Sequence, residues 1–142
     1  MMRSIFCLKR FAYFALVILV IIPVSAHTKK MKRIPTGVWG GQSIHIDVDA
    51  SSSTVEFDCA HGTIDEPFMI DSKGQFSVKG TYARQHGGPV RIDEKNSNAA
   101  ATYYGTVKGQ SMTLKIKLAN EGQTAETFVL TKGNSGKLRK CL

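Results

Sequence analysis

Helical periodicity is what this 142-residue sequence has least of. After residue 26 no segment repeats its apolar residues at the spacing of a helix face, which argues against a bundle or alternating α/β layers. Long apolar runs are scarce too. The one clear case, Phe11 to Val24, is about 14 residues, against the roughly 20 that a membrane-spanning helix needs. Basic residues interleaved with an aromatic platform are missing, so no nucleic-acid partner is expected. Cysteines number three. None follows the apolar run at the point where a bacterial lipid anchor would be attached.

The start of the chain has the order of a secretory signal: Arg3, Lys9 and Arg10 without an acid, then the apolar run, then the small residues of Val24-Ser25-Ala26. Residues 1–26 are therefore predicted to be a signal peptide cut before His27, leaving no stable membrane span. Residues 27–34 form a basic lead without periodicity, expected to be disordered. Residues 35–142 make a single domain, long enough for one core. All 11 acidic residues lie between Ile34 and Thr131. Lys29, Lys30, Lys32 and Arg33 precede that acidic middle, and Lys132, Lys137, Arg139 and Lys140 follow it. Such basic ends attract negative envelope components or act as solubilising tails.

Cys7 leaves with the signal, so Cys59 and Cys141 remain in a chain bound for an oxidising space. A disulfide between them is the default reading, and localisation is secreted or periplasmic. A reactive Cys59 activated by His61 is the competing reading, disfavoured by the apolar neighbours Val55 and Phe57.

The sequence patterns as eight short strands. Thr36 to Gly41 is the first, and Ile44, Ile46 and Val48 mark the second. Val55, Phe57 and Cys59 alternate with Glu56 and Asp58 in the third. Gly62 is predicted to allow a tight turn at Ala60-His61-Gly62, with Ile64, Phe68 and Ile70 on the return strand. Asp71-Ser72-Lys73-Gly74 has type I turn chemistry. Phe76 to Tyr82, Thr102 to Val107, Met112 to Leu118 and Phe128 to Leu130 complete the set. An even number of antiparallel strands lets first meet last, so the fold predicted is an all-β, eight-stranded antiparallel up-and-down barrel with a disulfide-tied C-terminal tail. A two-sheet β-sandwich is the alternative. The inward aromatics, among them Trp39, Phe57, Phe76, Tyr103 and Phe128, predict a mostly filled interior.

Gly37-Val38-Trp39 on the first strand of such a meander resembles the calycin group, the lipocalin- and avidin-like barrels. That resemblance implies a structural role for Trp39, with a basic residue near the end, Lys132 or Arg139, across its indole. It also implies binding of small apolar ligands, or inhibition of secreted proteases. The phrases Phe57-Asp58-Cys59-Ala60-His61-Gly62 and Gly80-Thr81-Tyr82-Ala83-Arg84 are similar to those of small exported bacterial proteins.

Binding is the activity expected. The stretch from Arg84 to Asn98 breaks the strand pattern and offers Arg84, His86, Arg91 and the backbone of Gly87-Gly88-Pro89. In a meander it shares one rim with the turns near residues 41–43, 60–62 and 120–123, which gathers His61, Arg84, His86 and Arg91 as a ligand site. The partner is a small ligand or envelope component, or alternatively a secreted hydrolase that the protein inhibits. A hydrolase built on His61 with Asp65 or Glu66 ranks third, so the protein is read as a non-enzyme. His45, Asp47 and Asp49 share a strand face, and Asp47 to Asp58 lacks the glycine and glutamate of a calcium loop, so no metal is expected. No cofactor is expected, and the protein is read as a monomer.

Overall fold

The computed structural model describes residues 30–85, 87–88, 98–119, 124–139 and 141. The predicted signal, His86, Arg91 and the turn at 120–123 lie outside them. The ten strands are β1 (Lys32–Arg33), β2 (Gly37–Gly41), β3 (Ile44–Val48), β4 (Ser53–Phe57), β5 (Ala60–Ile64), β6 (Met69–Ile70), β7 (Gln75–Arg84), β8 (Ala99–Lys108), β9 (Ser111–Leu118) and β10 (Thr124–Lys132). Eight of them close a barrel in the order β10-β2-β3-β4-β5-β7-β8-β9, with every neighbouring pair antiparallel. The meander expected from the sequence is thus the fold, and closure of β10 on β2 excludes the two-sheet alternative.

Alternation explains the strands. Met112, Leu114, Ile116 and Leu118 of β9 are buried while Ser111 and Lys117 are exposed, as a period of two requires when one face is inside. Ile44, Ile46 and Val48 do the same on β3. Every barrel strand sends at least one side chain into a single cluster that includes Trp39, Ile46, Val55, Ile64, Val78, Tyr103, Leu114 and Leu130. Each such side chain contributes about 1.5–3 kcal/mol relative to exposure. The interior is a packed core, as the bulk of the inward aromatics predicts.

Two local predictions are corrected. The third and fourth strands do not turn at Gly62. The turn is Asp58-Cys59, with Cys59 at φ 55°, and Gly62 lies inside β5 opposite Val55. A Cβ at Gly62 would collide with the Tyr103 hydroxyl and the Thr81 carbonyl. The glycine serves a close approach inside the barrel rather than a bend. Cys59 accordingly sits in the turn, not on the apolar strand face. The return strand also ends at Ile64, so Phe68 and Ile70 belong to separate structure.

That structure closes one end of the barrel. β1 and β6 form a two-stranded ribbon, with Lys32 opposite Ile70 and Arg33 opposite Met69. The Ile34 N–H donates to the Phe68 carbonyl at 3.0 Å. Ile34 and Phe68 are both buried, and Phe68 stacks edge-on against Phe76 with centroids 4.8 Å apart. The end of the basic lead, predicted to be disordered over 27–34, is therefore paired at Lys32–Arg33 and anchored at Ile34. The apolar Ile34 draws it in, a signal that the surrounding charge obscures.

Beyond Lys132 the chain reverses and runs back along the outside of β2 and β3. Gly133 N–H donates to Val38 O at 2.7 Å, Lys137 N–H to Gly41 O at 3.0 Å, and Ser43 N–H to Lys137 O at 2.9 Å. Gly40 lies beneath this tail, where a Cβ would strike the backbone of Asn134, Ser135 and Gly136. His45 Nδ1 meets the Ser135 carbonyl at 2.9 Å. The tail ends in the Cys59–Cys141 disulfide, whose Cα atoms are 5.2 Å apart, within the usual span.

Candidate functional site

The closed meander gathers the β2–β3, β4–β5 and β9–β10 connections, and the long β7–β8 connection, at the disulfide end of the barrel. This is the rim expected from the sequence, with the β4–β5 turn moved to Asp58-Cys59. Of the four residues assigned to it, His61 and Arg84 are described. His86 and Arg91 lie outside the described residues.

Arg84 is the last residue of β7 and sits opposite Ala60 of β5. It continues the inward series Phe76, Val78, Gly80 and Tyr82 past the point where the barrel interior ends, so it is exposed at the mouth. Below it, Phe57 contacts Tyr82 and Phe128, with both centroid distances 5.5 Å and tilted planes. These three rings cap the core at the disulfide end, with Phe57 and Phe128 buried and Tyr82 partly buried. The tilted arrangement is the favoured one for aromatic pairs.

His61 lies on the outer face of β5, opposite Ala83 of β7 and Glu56 of β4. Its Nδ1 is 3.1 Å from the Gln85 side-chain nitrogen. Gln85 N–H in turn donates to the Cys59 carbonyl at 2.8 Å, and Cys141 Sγ lies 3.6 Å from the Gln85 carbonyl oxygen. His61, Gln85, the bridge and the tail therefore form one cluster beside the mouth.

Asp58 fixes the tail to this end. Its Oδ1 accepts the Arg139 N–H at 2.6 Å. That bond, then the Ser43 side chain and the Arg139 charge, hold its carboxyl below the ordinary range against a small opposing desolvation. The carboxylate thus stays ionised where it receives the tail.

Several chemistries read from the sequence find other uses for their residues. Cys59 is in the disulfide, so it offers no thiolate to His61. His45 holds the tail, and among the described residues no group of three His, Cys, Asp or Glu side chains is placed to hold a metal ion. Glu66 Oε1 accepts the Lys79 N–H at 2.5 Å. Trp39 is fully buried, its indole N–H reaching the Pro35 carbonyl at 3.5 Å. The residue paired with it across β10 is Lys132, whereas Arg139 lies at the disulfide end on Asp58. Of the two basic residues considered for the indole, the register favours Lys132.

The aromatic cluster was missed as a site by sequence reasoning, because Phe57, Tyr82 and Phe128 carry the same inward periodicity as core residues. Only closure of the ring shows that they sit at its mouth. The disulfide suits an oxidising extracellular or periplasmic space. No family model matches the chain, and neither does any curated protein or solved structure.

Proposed function

We propose that this is an exported binding protein that engages a small ligand or an envelope component at the disulfide end of its barrel. The observation that carries this reading is the cluster of Phe57, Tyr82 and Phe128 at the end of the barrel where β7 finishes in the exposed Arg84. An apolar face beside a guanidinium suits a ligand that has both a flat apolar part and an anionic group. The packed interior supports binding at the mouth rather than in a hollow calyx. Rigid strands below the rim keep the cluster in place, which limits the ordering cost of binding. The calycin likeness enters only as architecture, since a barrel of this kind hosts many functions.

The test is capture of native partners from the secreted or periplasmic fraction, read by mass spectrometry for proteins and small molecules. Arg84→Ala is expected to lower capture by about tenfold, a loss of about 1.4 kcal/mol in binding, with an unchanged melting temperature. An equal loss of capture and melting temperature would assign Arg84 to the framework and remove the reading.

A further inference from the structure

A concavity lies at the end of the molecule away from the disulfide, outside the barrel. Lys30, Met31, Lys32, Ile70, Lys73 and Val107 surround most of it, and its volume is about 560 Å³. That size is within the ~300–1,000 Å³ of small-molecule sites. Its floor is apolar: Val107 is 8% exposed, Ile70 is partly buried, and Met31 is 47% exposed at the lip. Three lysines stand around it, all exposed. Asp71 is the carboxylate of the lining, and its Oδ1 already accepts the Lys73 and Gln75 N–H groups at 2.9 and 2.8 Å. The charge offered to a ligand is therefore positive, and it surrounds an apolar recess.

We propose that this cleft, between the β1–β6 ribbon and the end of β8, binds a free single-chain anionic amphiphile, its acidic head among Lys30, Lys32 and Lys73 and its chain along Ile70 and Val107. Lysine heads stay in water while their methylene stems extend the apolar surface, which suits a ligand that is itself half apolar. A free amphiphile fits better than a bilayer. Bilayer docking needs several apolar side chains that stand out beyond the basic ring, whereas in this lining Met31 alone does so and Ile70 and Val107 are recessed. The site is independent of the disulfide end, which lies across the barrel.

The probe is decanoate below its micelle concentration, titrated into the protein purified from expressing cells and followed by methyl NMR. Shifts are expected at Met31, Ile70 and Val107, with Leu114 in the interior unmoved. The double variant Lys30→Glu/Lys73→Glu is expected to weaken binding about tenfold or more, and added salt to weaken it in the parent protein. Equal binding of decyltrimethylammonium, shifts centred on Leu114 or Ala60, or insensitivity to both the lysine changes and salt would overturn the proposal. So would association with phosphatidylglycerol vesicles in the absence of any response to monomeric decanoate.

Discussion

Tyr103 of β8 places its hydroxyl against Gly62 and Thr81, where the β5–β7 seam loses its backbone pairing. The β5–β7 ladder pairs Ala60 with Arg84 and His61 with Ala83. Beyond that point side chains take over. The Tyr103 hydroxyl donates to the Thr81 carbonyl at 2.6 Å, and the Thr81 hydroxyl accepts the Thr63 N–H at 3.2 Å. Burial, with a smaller contribution from Tyr82, pushes the phenol's pKa upward, so it keeps the proton it donates. Tyr103→Phe leaves the Thr81 carbonyl without that donor. The expected cost is about 1–3 kcal/mol, the range for stranding a buried acceptor. Urea denaturation checks it, and a midpoint within error of the parent would show that the seam does not depend on this bond.

At the scale of elements, the tail lying over β2 and β3 depends on an absent side chain. Gly40→Ala would push a methyl into the backbone of Asn134, Ser135 and Gly136. We expect the tail to lift, seen as faster hydrogen exchange at Lys137 and Ser43, while amides of β8 and β9 keep their protection. Unchanged exchange at Lys137 would mean that the tail shifts without releasing.

This element also marks the limit of what the sequence shows. Alternation in Met112 to Leu118 or Ile44 to Val48 reads directly as strands, because half-buried strands must repeat every second residue. The barrel follows from that count and from antiparallel pairing. Glycine is harder to interpret: Gly62 has the composition of a turn but serves a close approach to Tyr103, and Gly40 serves a contact with residues far along the chain. Cys59, which has a side chain, takes the positive φ that a turn reading would assign to Gly62. The candidate mouth was half legible. Arg84 and His61 stood out by charge and position, while Phe57, Tyr82 and Phe128 were indistinguishable from core until the ring placed them at its end.

For the whole molecule, the Cys59–Cys141 bridge spans 82 residues. Constraining a loop of that length stabilises by roughly 4 kcal/mol at most in the chain-entropy view. Cys141→Ser is expected to lower the melting temperature substantially while the far-ultraviolet spectrum stays that of a β protein, since the ring closes through β2 and β10 without it. A melting temperature equal to the parent's would assign the bridge to the tail alone. In that variant the tail depends more heavily on Asp58. Because the folded carboxyl is held below its ordinary value near 3.8, its contribution is present above that pH and is lost as pH falls through the lower folded value. Arg139 amide exchange is thus expected to accelerate on acidification.

Closure of β10 on β2 has one more consequence. Where its ladders run the length of the strands, a sheet that meets itself presents no lateral row of main-chain amides for a foreign strand to continue, and the short β5–β7 ladder is where that protection is thinnest. Among the described residues, the β1–β6 ribbon is the ladder outside the ring. Partners that approach the continuous ladders must read side chains, and a partner that reads backbone has the short β5–β7 seam or the ribbon beside the lysine-ringed cleft to approach.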